Sequence, residues 1–179
     1  MPEAIQPENM KVAQDNILVK RDRPITKKGN IIIPEAWQSY GSRAEIISIG
    51  PDVKADVAVG MEILFKKDCT ILPFEDRTLA VTKDKFLIAK LIDKETYDEI
   101  LPLDDYVLVK PSSNKIHNGI HRKLIRKEPM TGKVVRVGNK VQYLETDDVV
   151  LYDIPEVWCS ENNVSMHMIR ESDILAKEV

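Results

Sequence analysis

The chain repeats itself. Ile17-Leu18-Val19-Lys20 is echoed by Val107-Leu108-Val109-Lys110, and Ile47-Ser48-Ile49-Gly50 by Val135-Arg136-Val137-Gly138. Leu87-Ile88-Ala89-Lys90 is echoed by Ile174-Leu175-Ala176-Lys177. The second member of each pair follows the first by 90, 88 and 87 residues, and Ile63-Leu64-Phe65 with Val150-Leu151-Tyr152 is again 87 apart. Order is kept while the offset drifts by a few residues, which is what duplication followed by small loop deletions leaves behind. An internal repeat constrains the fold more than any composition value does. It makes the 179 residues two small domains instead of one of middle size.

Each copy reads as β structure. Short runs rich in Val and Ile, bounded by Gly, Pro and Asp, predict strands near 15–20, 44–49, 61–66, 78–82 and 86–91. In the second copy they fall near 105–110, 132–137, 148–152, 164–169 and 173–177. Strands this short at such intervals predict an all-β chain of small barrels or sandwiches. The best helix candidate is Lys94–Ile100, a short linker turn between the copies that stops at Pro102. Each copy also holds one long strand-poor stretch directly after its first strand, Asp22–Arg43 and Pro111–Thr131. Stretches beyond about 12–15 residues are uncommon in compact domains and are usually functional or disordered.

Composition narrows the function classes. Hydrophobic residues at 43% supply a packed core. A formal charge of −3, from 26 basic and 29 acidic residues, argues against a nucleic-acid or membrane-surface binder. Aromatic residues at 6% are too few for a platform that stacks bases. Cys69 and Cys159 are too few for a disulfide framework. No apolar run approaches the roughly 20 residues that span a bilayer. MPEAIQPENM has neither a secretory nor a transit pattern, so the expected location is the cytoplasm.

Several segments in order resemble the GroES-type co-chaperonins, the chaperonin-10 family. Asp15-Asn16-Ile17-Leu18-Val19-Lys20 resembles the family's opening D-R-V-L-V-K, and Gly29-Asn30-Ile31-Ile32-Ile33-Pro34-Glu35 its G-G-I-V-L-P-E element. Ala44–Gly50 is similar to G-x-V-x-A-V-G, and Val59-Gly60-Met61-Glu62-Ile63-Leu64-Phe65 to V-G-D-x-V-x-F. Glu171-Ser172-Asp173-Ile174-Leu175-Ala176 resembles the closing E-x-D-I-L-A most closely. The resemblance covers roughly 12–91 and 103–179.

It implies two tandem GroES-like β-barrels, at 12–92 and 103–179, with a tail at 1–11 and a linker at 93–102. The function it implies is a lid that caps an ATP-dependent chaperonin cage. The partners implied are a GroEL-type chaperonin in its ATP-bound state, a folding client inside the cage and further copies in a ring, with no cofactor. Only Pro51–Val59 and Asn139–Thr146 stand where the family usually has a longer roof hairpin. That reduction resembles certain bacteriophage co-chaperonins, which would place the protein in a host cytoplasm. The alternative from another class is a structural or assembly protein that keeps the barrels but binds no chaperonin.

The family docks through a mobile loop, and the resemblance places that role on Gly29, Ile31, Ile32 and Ile33. The residues suit it. Asp22–Asn30 is polar and broken by Pro24 and Gly29, so it cannot bury enough apolar surface to order itself. Three branched side chains follow, and Pro34 biases Ile33 to an extended conformation. Burying each such side chain is worth about 1.5–3 kcal/mol. Ordering the segment returns about 2–5 kcal/mol. A single loop therefore binds weakly, and a ring of loops gains by avidity. From periodicity alone, Ile-Ile-Ile-Pro reads as a buried strand ending at a turn, and it is the register against the family that favours docking. Trp37 and Tyr40 are expected to anchor the loop on its barrel.

The second stretch departs from the pattern: Gly119-Ile120-His121-Arg122 stands where the apolar tripeptide would be, amid Lys115, Lys123, Arg126 and Lys127. Ile120, or Leu124 with Ile125, is the candidate for a degenerate second docking site, and a solvated basic run is the alternative. No catalytic set is found: there is no nucleophile–base pair, P-loop or dinucleotide turn. His117 and His121 have helical metal-ligand spacing, but Gly119 sits between them with no third ligand nearby. His167 alternates with Met166 and Met168 and is expected on an outer strand face. Asp104-Asp105 and Asp147-Asp148 precede strands and read as turns, as do Gly50, Gly60 and Gly138 at strand ends. The 90-residue gap between the cysteines does not match the local offset of 87, so they are not equivalent.

Overall fold

The computed structural model describes residues 10–22, 27–28, 31–32, 43–66, 69–72, 78–92, 99–112, 129–153, 155–161 and 164–178. The chain divides into two compact units, Met1–Leu91 and Ile92–Val179. Among the described residues both are built from strands and short 3-10 turns, with no α-helix.

In the first unit the strands are β1 (Asn16–Arg21), β2 (Lys27–Lys28), β3 (Ile31–Ile32), β4 (Arg43–Ile49), β5 (Glu62–Phe65), β6 (Thr70–Ile71), β7 (Leu79–Lys83) and β8 (Leu87–Leu91). A 3-10 turn, Asp84–Phe86, joins the last two. Within this unit the sheet runs β6-β7-β1-β4-β5-β8, and β2 with β3 forms a separate two-stranded sheet. The second unit holds β9 (Ile100–Pro102), β10 (Tyr106–Pro111), β11 (Met130–Val137), β12 (Val149–Tyr152), β13 (Val157–Glu161), β14 (Val164–Arg170) and β15 (Ile174–Lys177). Its sheet runs β13-β14-β10-β11-β12-β15. Strand for strand the two orders correspond.

Strands β1 and β10 are interior to their sheets, and consecutive apolar residues along each are buried, so both of their faces are covered. Ile17, Leu18 and Val19 are fully buried, as are Val107, Leu108 and Val109. In the second unit the core gathers Val107, Val109, Val134, Leu144, Val150, Tyr152 and Ile169.

Irregularities correspond as well. The pairing shifts register between Leu18 and Val19 against β4, and between Leu108 and Val109 against β11. It shifts again between Leu64 and Phe65, and between Leu151 and Tyr152. Gln14 and Asp104 have φ of 58° and 53°, and Gly60 and Asp147 have φ of 83° and 79°. Asp tolerates this left-handed region better than most side chains, which explains both carboxylate pairs as turn chemistry.

Gly50 and Gly138 close the corner where the strand after the long loop passes over the turn preceding the first strand. A Cβ on Gly50 would lie 2.2 Å from the Gln14 carbonyl oxygen, and one on Gly138 2.3 Å from that of Asp104. The Gly50 and Gly138 N–H groups donate to Asn16 O at 2.9 Å and Tyr106 O at 2.8 Å. These glycines are there for close backbone approach.

All ten predicted strands are present, with ends within two residues of expectation. The linker is corrected. Residues 93–98 lie outside the described residues, but Ile100 opens strand β9 and does not close a helix. Pro102 drives the residue before it toward extended backbone. The Ile100 N–H donates to the buried Glu161 carboxylate at 3.2 Å, and its carbonyl accepts from Arg136 at 3.4 Å. Besides β9, strands β2, β3, β6 and β13 have no counterpart in the sequence reading. The first three have two residues each, too few for a periodic signal. Both cysteines are free thiols. Equivalent pairings of Thr70 with Val81 and Val157 with Met168 align Cys69 with Glu156, so the thiols are not counterparts.

Candidate functional site

Strands β1 and β4 are antiparallel neighbours, and Arg21 pairs with Ala44 where they end. The long stretch 22–42 therefore leaves the sheet and returns to it between adjacent strands. Within it, Lys27 pairs with Ile32 and Lys28 with Ile31. Gly29-Asn30 is the connection, and a Gly-first dipeptide is a residue choice that two-residue hairpin loops favour. Of the sequence-predicted docking residues, the structure places Ile31 and Ile32 together on β3, opposite two lysines. Gly29 and Ile33 lie outside the described residues, as do Trp37 and Tyr40.

Two features fix the base of this arm. The Arg21 N–H donates to Thr78 O at 2.8 Å. Across β4 and β5, Arg43 Nε donates to Glu62 Oε2 at 2.7 Å. In the second unit the corresponding stretch also leaves between neighbours, with Pro111 opposite Gly132 and the Ser112 N–H donating to Thr131 O at 2.9 Å. Ile120, Leu124 and Ile125 fall outside the described residues, as do His117 and His121.

The loop after β4 is tied down in the same way in both units. The Lys54 and Ala55 N–H groups donate to Asp84 at 2.9 and 3.2 Å. The Gln142 and Tyr143 N–H groups donate to Glu171 Oε1 at 3.0 and 2.7 Å. Asp84 and Glu171 each open the 3-10 turn before the closing strand. Sequence reasoning did not assign them this role, although an acid at each of two positions 87 residues apart was the available signal. The Lys90 ammonium, bonded to Asp56, holds that carboxyl below the usual carboxylate range, and Lys177 does the same to Asp148.

One expectation fails outright. His167 is not on an outer face: it is 2% exposed. Strand β14 lies between β10 and β13, and the consecutive residues Met166, His167, Met168 and Ile169 are all buried, so both of its faces are covered over this stretch. Alternation alone could not distinguish an inner strand from a half-exposed one.

Fold and arm together define a class: an all-β chain of two similar units, with a two-stranded insertion between neighbouring strands of the first. Residues 9–91 match the family Cpn10, the chaperonin 10 Kd subunit. The match spans less than half of the chain and makes the first unit similar to that family, in keeping with its small all-β fold. No curated protein matches the chain.

Proposed function

We propose that the protein is a co-chaperonin: an oligomeric lid, without chemistry of its own, that caps an ATP-bound GroEL-type chaperonin in the cytoplasm while a client folds inside. The family match over residues 9–91 carries this reading. The contact is the hairpin arm, with Ile31 and Ile32 on β3, Ile33 following and Gly29 in the connection. In favour of that assignment, β3 pairs with β2 in a sheet of its own and belongs to neither main sheet.

On this reading both units are GroES-like barrels, bounded at 12–92 and 103–179 with 93–102 between them. The loops that replace full roof hairpins are the reduction found in bacteriophage-type co-chaperonins. Ile120, Leu124 and Ile125 form a subsidiary contact on the second barrel. Ring assembly is supported by β15, which ends its sheet with β12 as its strand partner and leaves Leu175 59% exposed. Such an edge is a template for another chain.

The test is capture of the purified chain by a GroEL-type chaperonin with and without ATP. Nucleotide-dependent association is expected. Ile32→Asp should remove it while circular dichroism and thermal midpoint stay unchanged. Leu124→Asp should weaken it less than about threefold, because losing one subsidiary contact among many costs little once the others act intramolecularly. Absence of association in the wild type rejects the lid and favours an assembly protein. Loss of fold in Ile32→Asp rejects the docking assignment and makes β3 a core element.

A further inference from the structure

The second unit contains a side-chain cluster that the first lacks. Three corresponding positions carry Phe65, Ala80 and Ile71 in one unit and Tyr152, His167 and Trp158 in the other. The strand registers give the correspondence. Phe65 pairs with Leu87 and Tyr152 with Ile174. Ala80 lies between Val19 and Ile71, and His167 between Val109 and Trp158.

The three side chains touch. His167 Nδ1 lies 2.8 Å from the Tyr152 hydroxyl, inside the protein. The Trp158 ring meets the imidazole edge-on at 4.1 Å between centroids, and Trp158 itself is 62% exposed. Among the described residues, the buried Nε2 of His167 has no hydrogen-bond partner. A neutral imidazole has one donor and one acceptor nitrogen, and the Tyr152 hydroxyl can satisfy Nδ1 in either role. An imidazolium has two donors. Its Nε2–H would then carry charge in an apolar site with no acceptor, at a desolvation cost that nothing offsets. The Tyr152 hydroxyl could only accept, so its own proton would need another partner.

The groups on the surrounding strands do not rescue the charge. On β10 the facing residue is Val109. On β12 burial pushes the Tyr152 phenol up to about 12, so it stays neutral. On β13, burial and then Glu161 push the Cys159 thiol up to about 12, and its Sγ faces Met166 O. Glu161 binds Arg136 and the Ile100 N–H. Glu156 binds the Tyr106 hydroxyl and faces Arg170. On β14, Arg170 is paired with Asp105. Among the described residues no carboxylate bonds the imidazole.

We propose that Tyr152, His167 and Trp158 form a proton-sensitive latch on strand β13, closed while His167 is neutral and released when it is protonated. The topology permits release. β13 is the edge strand of its sheet and pairs with β14, so it can separate without breaking a second ladder. Burial already holds the His167 imidazole below its ordinary value of 6.5. The sign follows from linkage. The released strand leaves His167 in water, where it binds more protons than in the closed form. Closure is therefore fully favoured above about pH 6.5 and weakens as the pH falls below it. The first unit, with Ala80 at this position, has no such group and serves as an internal control.

The experiment is a pH titration of the full chain from 8 to 4.5. It is read by Trp158 emission in a Trp37→Phe background, by amide-exchange protection of β13 and β6, and by the NMR shift of the His167 ring protons. Below pH 6 the emission should move to the red and the protection of 157–161 should fall at least tenfold, while that of β6 stays constant. His167→Phe should remove both changes. If that variant does not fold, His167→Gln, neutral throughout, replaces it with the same expectation. The latch is overturned by flat emission and protection down to pH 4.5, by changes that persist without His167, or by a ring midpoint at or above 6.5.

Discussion

Phe65 and Tyr152 occupy the same place in their sheets, each buried at a register shift beside the closing strand. One hydroxyl separates them, yet the surroundings differ much more. A buried phenol needs a hydrogen-bond partner, and the second unit supplies His167 where the first has Ala80. The imidazole in turn is covered by Trp158 where the first unit has Ile71. Backbone features behave differently. Both units keep the glycine corner, both register shifts and both left-handed positions. A corner that leaves 2.2 Å for a Cβ admits one residue type, whereas a core position accepts any side chain whose volume and polar atoms are met. The two copies are thus one backbone filled with two chemistries, and a shared fold does not make their loops or outer strands interchangeable.

Truncating the matched aromatics gives the largest expected effect. Phe65→Ala and Tyr152→Ala should each destabilise their own unit by about 3–5 kcal/mol. Amide exchange followed by mass spectrometry should show lost protection confined to 10–91 in the first case and to 99–178 in the second. Loss in both units from either variant would break the picture of separate cores.

Tyr152→Phe sharpens the comparison, because it restores the first unit's aromatic but leaves His167 Nδ1 without its partner. The expected cost is about 1–3 kcal/mol by urea unfolding, the penalty of an unsatisfied buried polar group. A neutral outcome would mean that the hydroxyl is dispensable and that the units differ less than the geometry indicates.

The smallest effect concerns what the units share. Asp84→Ala and Glu171→Ala each remove the acceptor for two loop N–H groups. Water replaces the carboxylate at these exposed sites, so each should cost about 1 kcal/mol. Exchange should accelerate at 54–55 in one variant and at 142–143 in the other. Unequal effects would show that the second copy of this tie has lost its role.

Much of this was legible in the amino-acid sequence. The offsets of 87 to 90 residues implied two units of one kind, and short Val- and Ile-rich runs between turn residues located ten strands. These signals survive because a strand buried on both faces must be continuously apolar, and a turn at positive φ draws on few residue types. The arm was legible as a polar run followed by Ile31-Ile32-Ile33, but not its pairing with Lys27 and Lys28. Two-residue strands have no period, and their pairing is set by the connection between them.

The sequence by itself therefore determined the internal repeat, the all-β class and the place of the long loop in each unit. Those depend on patterns along the chain. Only the tertiary structure decided that His167 faces Tyr152 under Trp158, that Glu161 accepts the Ile100 N–H, and that Ile100 is strand. Each of these depends on hydrogen bonds or ring contacts whose partners are chosen by the packing of strands and by no local signal.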